Sequence, residues 1–382
     1  MSSVNRVVII YRFVPQYRVE FYNNLKKYLE EKNIELVLIY GDGDSADRSK
    51  GDLVDIEWGV KIKNRIISIL ERRLYWQNVF SHIKRGDLVI VEQASRLIIN
   101  YILQILSSMK YIRLAYWGHG VNYMAKSDND IAEIIKRKLI TKVDWWFAYN
   151  QATVKIVESA GYPRNKITDV QNSIDVDALR EGINSVSFSE TESLKKILEI
   201  DKNSRIILYI GGLYQEKGIV ELIEASKIVN RLYPDTILLI VGSGPLKEYV
   251  KQEERKSEHI RFAGPLFGRD KIVALKIADV IAMYDAVGLV ALDSLTAGVP
   301  IITTEGKNHG PEIEYLINGK TSIITNYNLE SFADGIIRLI KSKEELDNMK
   351  MENIRESYNY SMVKMVNNFG GGIEYAIKYY KI

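Results

Sequence analysis

The chain has 382 residues, 46% hydrophobic and 26% charged, which is more than one hydrophobic core ordinarily holds and points to two globular domains. Lys and Arg number 52 against 49 Asp and Glu, so the net charge of +3 is no signature of a nucleic-acid binder, and with no Cys there is neither a disulfide nor a thiolate site. A polar start runs into Val7-Val8-Ile9-Ile10 without signal-peptide architecture, and no apolar run approaches the ~18 residues of a membrane span, so a cytoplasmic protein is the expectation.

Short β-branched runs at 6–11, 35–40, 87–91, 113–117, 145–149 and 166–170 alternate with helical windows at 19–30, 65–83, 96–109, 130–141 and 151–160. That alternation predicts a parallel sheet covered on both faces. The first strand is followed by RFVPQYR, and no G-x-G-x-x-G opens the next helix, which argues against a dehydrogenase-type dinucleotide site. Arg12, Tyr17 and Arg18 in that loop are expected to be chiefly solvated, with reach to an anionic or sugar acceptor as the alternative. The stretch 61–85 carries seven Lys and Arg against one acid, Glu71, together with Ile66, Ile67, Trp76 and Phe80. Two readings are open for it: a domain helix packed on the sheet, or a basic helix lying on an anionic membrane surface.

His119, between Gly118 and Gly120 at a strand's carboxyl end, is one of only four His. It is either a hydrogen-bonded structural side chain or a ligand-facing one. From 176 to 204 the pattern loosens into a Ser-, Glu- and Lys-rich region with one helical piece near 194–198, read as a linker over 181–204 between domains 1–180 and 205–358.

A second alternating set begins at 205–210. The turn after it reads Gly211-Gly212-Leu213-Tyr214-Gln215-Glu216-Lys217-Gly218 and opens a helix. Val241-Gly242-Ser243-Gly244-Pro245 is a strand end, a turn and a Pro at a first helical position, which needs no ligand. Between Ala278 and Tyr315 the order is strand, tight turn, helix, strand. The turn reaches Gly288 and the helix starts near Leu289 and Val290, where unpaired N–H groups and the helix dipole suit a phosphate. Asp285 and Asp293 frame the turn, with seven residues between them. Glu312 follows in a Gly-Pro-Glu loop that equally resembles an ordinary helix start.

Asp285-AVGLVAL-Asp293 followed by Ala297-Gly298-Val299-Pro300, with Lys217-Gly218 upstream, resembles the donor-binding core of family 4 retaining glycosyltransferases. The resemblance covers the whole chain loosely and 205–325 specifically. Three departures stand out: both family glutamates are Asp, Gly212 replaces an Arg, and the loop before Gly288 is shorter. The resemblance implies an α/β GT-B fold, two doubly wound Rossmann-like domains facing across a cleft, with a last helix (within 359–382) returning to the first domain. It implies a sugar moved with retention from a UDP- or GDP-linked donor to a saccharide or lipid-linked saccharide, in cell-surface polysaccharide synthesis, with no metal and no resident cofactor. Lys217 and the turn of Gly288, Leu289 and Val290 would hold the diphosphate, and Asp293 the ribose. Glu312 and Asp285 would serve the sugar, His119 the sugar or acceptor, and Gly211, Gly212, Gly242 and Gly244 would line the donor. The expected partners are thus the nucleotide sugar, the acceptor and, through 61–85, the inner face of a membrane; nucleic acid is not among them. Two other classes remain: a GT-B epimerase, and a non-catalytic binding partner of a polysaccharide assembly.

Overall fold

The computed structural model describes residues 5–48, 51–69, 72–120 and 139–379. The chain divides into two units, Met1–Ile174 with Met362–Ile382, and Asp175–Ser361.

In the first unit, β1 (Asn5–Tyr11), β2 (Ile34–Gly41), β3 (Val60–Ile62), β6 (Leu88–Glu92), β7 (Arg113–Gly118), β8 (Trp145–Ala148) and β9 (Ile167–Asp169) form one parallel sheet in the order β3-β2-β1-β6-β7-β8-β9. Its strands are near-continuous apolar runs because helices cover them. The helix Val19–Glu31 buries Phe21, Tyr22, Leu25 and Leu29, one face at helical spacing. The closing helix Met362–Tyr379 belongs to this unit and packs Phe369 flat on Phe147, ring centroids 4.3 Å apart. Its Gly370 and Gly372 permit the approach: a Cβ there would lie 2.3 Å from the Tyr28 ring and 2.4 Å from Thr168 Oγ1.

The helix expected at 65–83 is instead an antiparallel ribbon, β4 (Asn64–Ile69) with β5 (Arg72–Gln77), paired from Asn64 opposite Gln77 to Ile69 opposite Arg72, then a single 3-10 turn at Phe80–His82. The period is two, not 3.6: Tyr75 and Gln77 both point inward, Tyr75 donating to Asp44 at 2.7 Å and Gln77 to the Tyr11 carbonyl at 3.1 Å. β-Branched Ile66 and Ile67 suit a strand better than a helix. The helix expected at 130–141 falls almost wholly outside the described residues.

Arg12 and Arg18 are not solvated. Arg12 is buried and grips Asp47 at 2.5 and 3.1 Å. Arg18, 1% exposed, donates to Asn172 Oδ1 at 2.6 Å, its guanidinium 4.9 Å from the centre of the Trp117 ring.

The stretch 181–204 is no linker. Asp175 caps the helix Val176–Asn184, and Ser187 with Glu190 forms a capping box that opens the helix Phe188–Ile197. Both helices belong to the second unit, where Arg269 fastens the second through Glu190 at 2.6 and 2.8 Å. The Phe188–Ile197 helix buries none of its residues, so its composition reads as loop although its backbone is helical.

The second unit carries β10 (Arg205–Ile210), β11 (Thr236–Val241), β12 (Ile260–Gly264), β13 (Val280–Ala282), β14 (Ile301–Thr304) and β15 (Ser322–Thr325), all parallel, in the order β12-β11-β10-β13-β14-β15. Strand order reverses between β10 and β13, which pair directly. Ligands in doubly wound sheets gather outside the carboxyl ends at such a reversal. The two turns singled out in the sequence leave those two strands.

Candidate functional site

The turn after β10 closes in a 3-10 segment, Gln215–Lys217, and Gly218 starts the helix Ile219–Leu232. Gly218 has φ +66°, and a Cβ on it would lie 2.8 Å from the Tyr284 ring, so this glycine lets the β10 and β13 turns meet. Across that contact the Lys217 ammonium donates to the carbonyl of Ala286. Burial lowers the Lys217 pKa, opposed by the charges of Glu312 and then Asp285. Lys217, Glu312 and Asp285 therefore share one electrostatic neighbourhood.

Ala286 itself sits at φ +54°, an uncommon conformation for a residue with a side chain. Its neighbours hold it there. Asp285, 1% exposed, accepts from the Ala286 N–H at 2.7 Å, the Asn308 N–H at 3.3 Å and Asn308 Nδ2 at 2.8 Å. His309 Nδ1 accepts from the Val287 N–H at 3.1 Å, leaving Nε2 to donate to the Thr304 carbonyl at 2.8 Å. A ring whose Nδ1 accepts an N–H is neutral, and burial pushes the His309 pKa down in the same sense; its 3.8 Å separation from Asp285 Oδ1 is too long for a hydrogen bond. Asp285 is thus occupied in bracing the turn. We expect Asp285→Ala, which strands three donors, to cost roughly 2–4 kcal/mol of stability, read as a drop in denaturant midpoint; a midpoint within error of wild type would remove the bracing role.

Beyond the brace, the helix Val290–Ala297 begins, closed by Gly298 at φ +65°. The first N–H groups of a helix lack partners within it. A Cβ on Gly288 would touch nothing within 4 Å, so the approach to this helix start is open. One turn in, Asp293 is 6% exposed, and both of its carboxylate oxygens accept from Lys271 Nζ, at 2.7 and 2.8 Å. Lys271 lies on the preceding helix, Gly268–Ile277, and no motif in the sequence marks it. Glu312 is buried in the 3-10 segment Pro311–Tyr315, and a Cβ on Gly310 would lie 2.7 Å from its Oε2.

Gly242 and Gly244 have main-chain reasons to be glycine. A Cβ on Gly242 would sit 1.8 Å from the Gly211 carbonyl oxygen, and one on Gly244 2.6 Å from that of Leu213. Gly212 accepts from the Tyr209 hydroxyl at 2.7 Å, and a Cβ there would lie 2.4 Å from the Tyr214 ring. A side chain at 212 would have to displace Tyr214. His119 belongs to the first unit, where it follows β7 and sets its ring edge-on to Tyr149 at 4.1 Å. Among the described residues no three His, Asp or Glu side chains gather as a metal site.

Residues 190–356 match the family model "Glycosyl transferases group 1". A glycogen synthase from Mycobacterium tuberculosis is 34% identical over 123 residues, 31% of this chain and 29% of its own. UDP-Gal:alpha-D-GlcNAc-diphosphoundecaprenol alpha-1,3-galactosyltransferase from Escherichia coli is 27% identical over 218 residues, 53% of this chain and 50% of its own. The matched stretch thus spans between about a third and a half of these relatives. Among solved structures, Anabaena Alr3699/HepE in complex with UDP and glucose superposes with a TM-score of 0.69 over 96% of this chain and 99% of that one, at 15% identity, a likeness of fold. The second unit thus carries, over residues 190–356, a stretch similar to the glycosyl transferases group 1 family, and the chain has the GT-B fold.

Proposed function

We propose that this chain is a retaining, metal-independent glycosyltransferase that moves a sugar from a UDP- or GDP-linked donor to a hydroxyl of a saccharide or lipid-linked saccharide in polysaccharide assembly. The observation that carries the reading is the placement, on the two turns that leave β10 and β13 and the helix that follows, of the Lys217 ammonium against the Ala286 carbonyl, an open helix start and, one turn in, the Asp293 carboxylate. The Escherichia coli relative, whose name specifies a UDP-sugar donor and a diphosphoundecaprenol-linked acceptor, supports the same pairing here.

On this reading the bond from the anomeric carbon to the diphosphate oxygen breaks, and the acceptor hydroxyl bonds to that carbon from the same face. The hydroxyl proton passes to the departing phosphate oxygen. Lys217 and the N–H groups of Gly288, Leu289 and Val290 stabilise the charge that develops on the diphosphate, which is the largest contribution available to such a site. Asp293 accepts from the ribose hydroxyls, and Glu312 contacts the donor sugar. In the first unit a cavity of about 420 Å³ lies at the carboxyl ends of β1 and β2, lined among others by Phe13, Gly41, Asp42 and Lys61; it and His119 are assigned to the acceptor.

The test is thermal stabilisation by UDP, GDP and their sugar conjugates, with and without a chelator. A ligand at about a hundred times its dissociation constant adds roughly 2.7 kcal/mol. Stabilisation by one base, indifferent to chelator, is the expected result. No stabilisation by any nucleotide turns the choice to a non-catalytic partner, and conversion of the sugar without an acceptor turns it to an epimerase.

The ribbon supports attachment to a membrane: Ile66 and Ile67, 47% and 43% exposed, are flanked by basic residues. No helix among the described residues is long and apolar enough to cross a bilayer. We expect the protein to sediment with phosphatidylglycerol vesicles at low salt and an Ile66→Glu, Ile67→Glu variant to stay in solution. Wild-type protein that ignores the vesicles would end this reading.

A further inference from the structure

We propose that Lys271 is a specificity-determining residue of the donor site: its ammonium and the cis-diol of a ribose compete for the same edge of Asp293, so a nucleotide binds by displacing the lysine. The proposal rests on the reading of Asp293 as the ribose-gripping acid.

The geometry is a single nitrogen nearly equidistant from two oxygens, 2.7 Å from Oδ1 and 2.8 Å from Oδ2. A nitrogen so placed straddles the outer edge of the carboxylate and takes the lone pair that each oxygen turns toward that edge. A ribose diol binding one carboxylate uses that same edge, one hydroxyl to each oxygen. The remainder of Asp293 is closed off: its side chain is 9% exposed, whereas that of Lys271 is 32% exposed. A ligand that displaces Lys271, the more exposed of the two partners, meets the carboxylate from the side that the lysine covers.

Lys271 can yield. Its ammonium has no other hydrogen bond among the described residues, and it stands on a flexible four-carbon stem in the first turn of its helix. It also has somewhere to go. Asp293 is one turn, about 5.4 Å, inside the helix whose start receives the diphosphate, so the ligand that takes the carboxylate brings replacement anionic oxygens within a lysine's reach. A nucleoside without phosphates would break the ion pair and offer the ammonium nothing in return. The exchange therefore selects for ligands that combine a ribose diol with a diphosphate.

The experiment is calorimetric measurement of the dissociation constants of UDP and 2′-deoxy-UDP, with GDP and 2′-deoxy-GDP in parallel, for wild type, Lys271→Met and Lys271→Arg. In wild type the gain from the 2′-hydroxyl is reduced, because its bond to the carboxylate replaces an ion pair. Freed of that competitor in Lys271→Met, the preference for the ribonucleotide is expected to rise by about twofold to fivefold, the size of a partly exposed ion pair. Uridine is expected to gain affinity in the same variant, and Lys271→Arg to keep the wild-type ratio. An unchanged or smaller ratio in Lys271→Met, with nucleotide still bound by wild type, overturns the competition and leaves the donor reading standing. Binding of UDP or GDP by neither protein overturns both. Lys271→Gln carries the same expectations and stands in if the Met substitution impairs folding.

Discussion

Lys217→Met lowers turnover by about 10²- to 10³-fold, the usual consequence of removing one preorganised donor aimed at developing charge. The loss falls mainly on kcat, because the diphosphate carries more charge when leaving than when bound to the sugar. Lys217→Arg does not rescue it. The ammonium is fitted against the Ala286 carbonyl, and a planar guanidinium with two more heavy atoms would not occupy that place. A pH profile separates this role from a structural one. Burial holds the Lys217 pKa below that of a solvated lysine, with Glu312 and Asp285 opposing. The cation is therefore lost as pH rises through that lowered value, and wild-type affinity for the diphosphate declines across it, while the Met variant shows no such limb. Stability moves the other way. Between the lowered folded pKa and the ordinary unfolded one, the unfolded chain binds more protons, so the folded state gains stability with rising pH in that window. Turnover in Lys217→Met near the wild-type rate would remove this lysine from the mechanism.

The second unit was the more legible in the sequence. Gly288, Val290–Ala297 and Gly298 combine an open turn, an eight-residue helix with five apolar residues and a left-handed helix end, each a local signal that the structure retains. The 61–85 stretch was misread because its aliphatic density fits a helix face as well as a strand, and no Asn-Gly or Asp-Gly marks a hairpin turn there. The 181–204 region was misread for the opposite reason, since a helix that buries nothing shows no apolar stripe. Its capping box, Ser187 with Glu190, was the signal available. Long-range pairs leave no trace in a single sequence. Arg12 with Asp47, Arg18 with Asn172 and Lys271 with Asp293 join residues 22 to 154 positions apart, and the first two bury arginines that were expected to be solvated. Asp285 shows what motif spacing leaves out: one of its three hydrogen bonds goes to the turn that carries it and two go to Asn308, in the loop after β14.

Asp293→Ala weakens nucleotide binding by about 30- to 100-fold. A carboxylate taking two hydroxyl protons makes two charge-assisted hydrogen bonds, and a net loss of roughly 2–3 kcal/mol for the pair corresponds to that range. The loss appears in the dissociation constants of UDP or GDP and in the KM of the sugar donor, with a smaller effect on kcat, since the ribose is held equally before and during bond breaking. That pattern is the reverse of the one expected for Lys217→Met, so the two variants divide the site into a gripping half and a reacting half. Asp293→Asn makes the division sharper. It keeps the shape inside the Val290–Ala297 helix but offers a single acceptor oxygen, and it leaves the Lys271 ammonium without its carboxylate. Affinity in Asp293→Asn is expected to lie between those of Ala and wild type. The discrimination between UDP and 2′-deoxy-UDP should vanish in the Ala variant, because a side chain that ends at Cβ can no longer count hydroxyls. Retention of that discrimination by Asp293→Ala would move the ribose to another part of the β10/β13 reversal and leave the Lys271 pair a structural one.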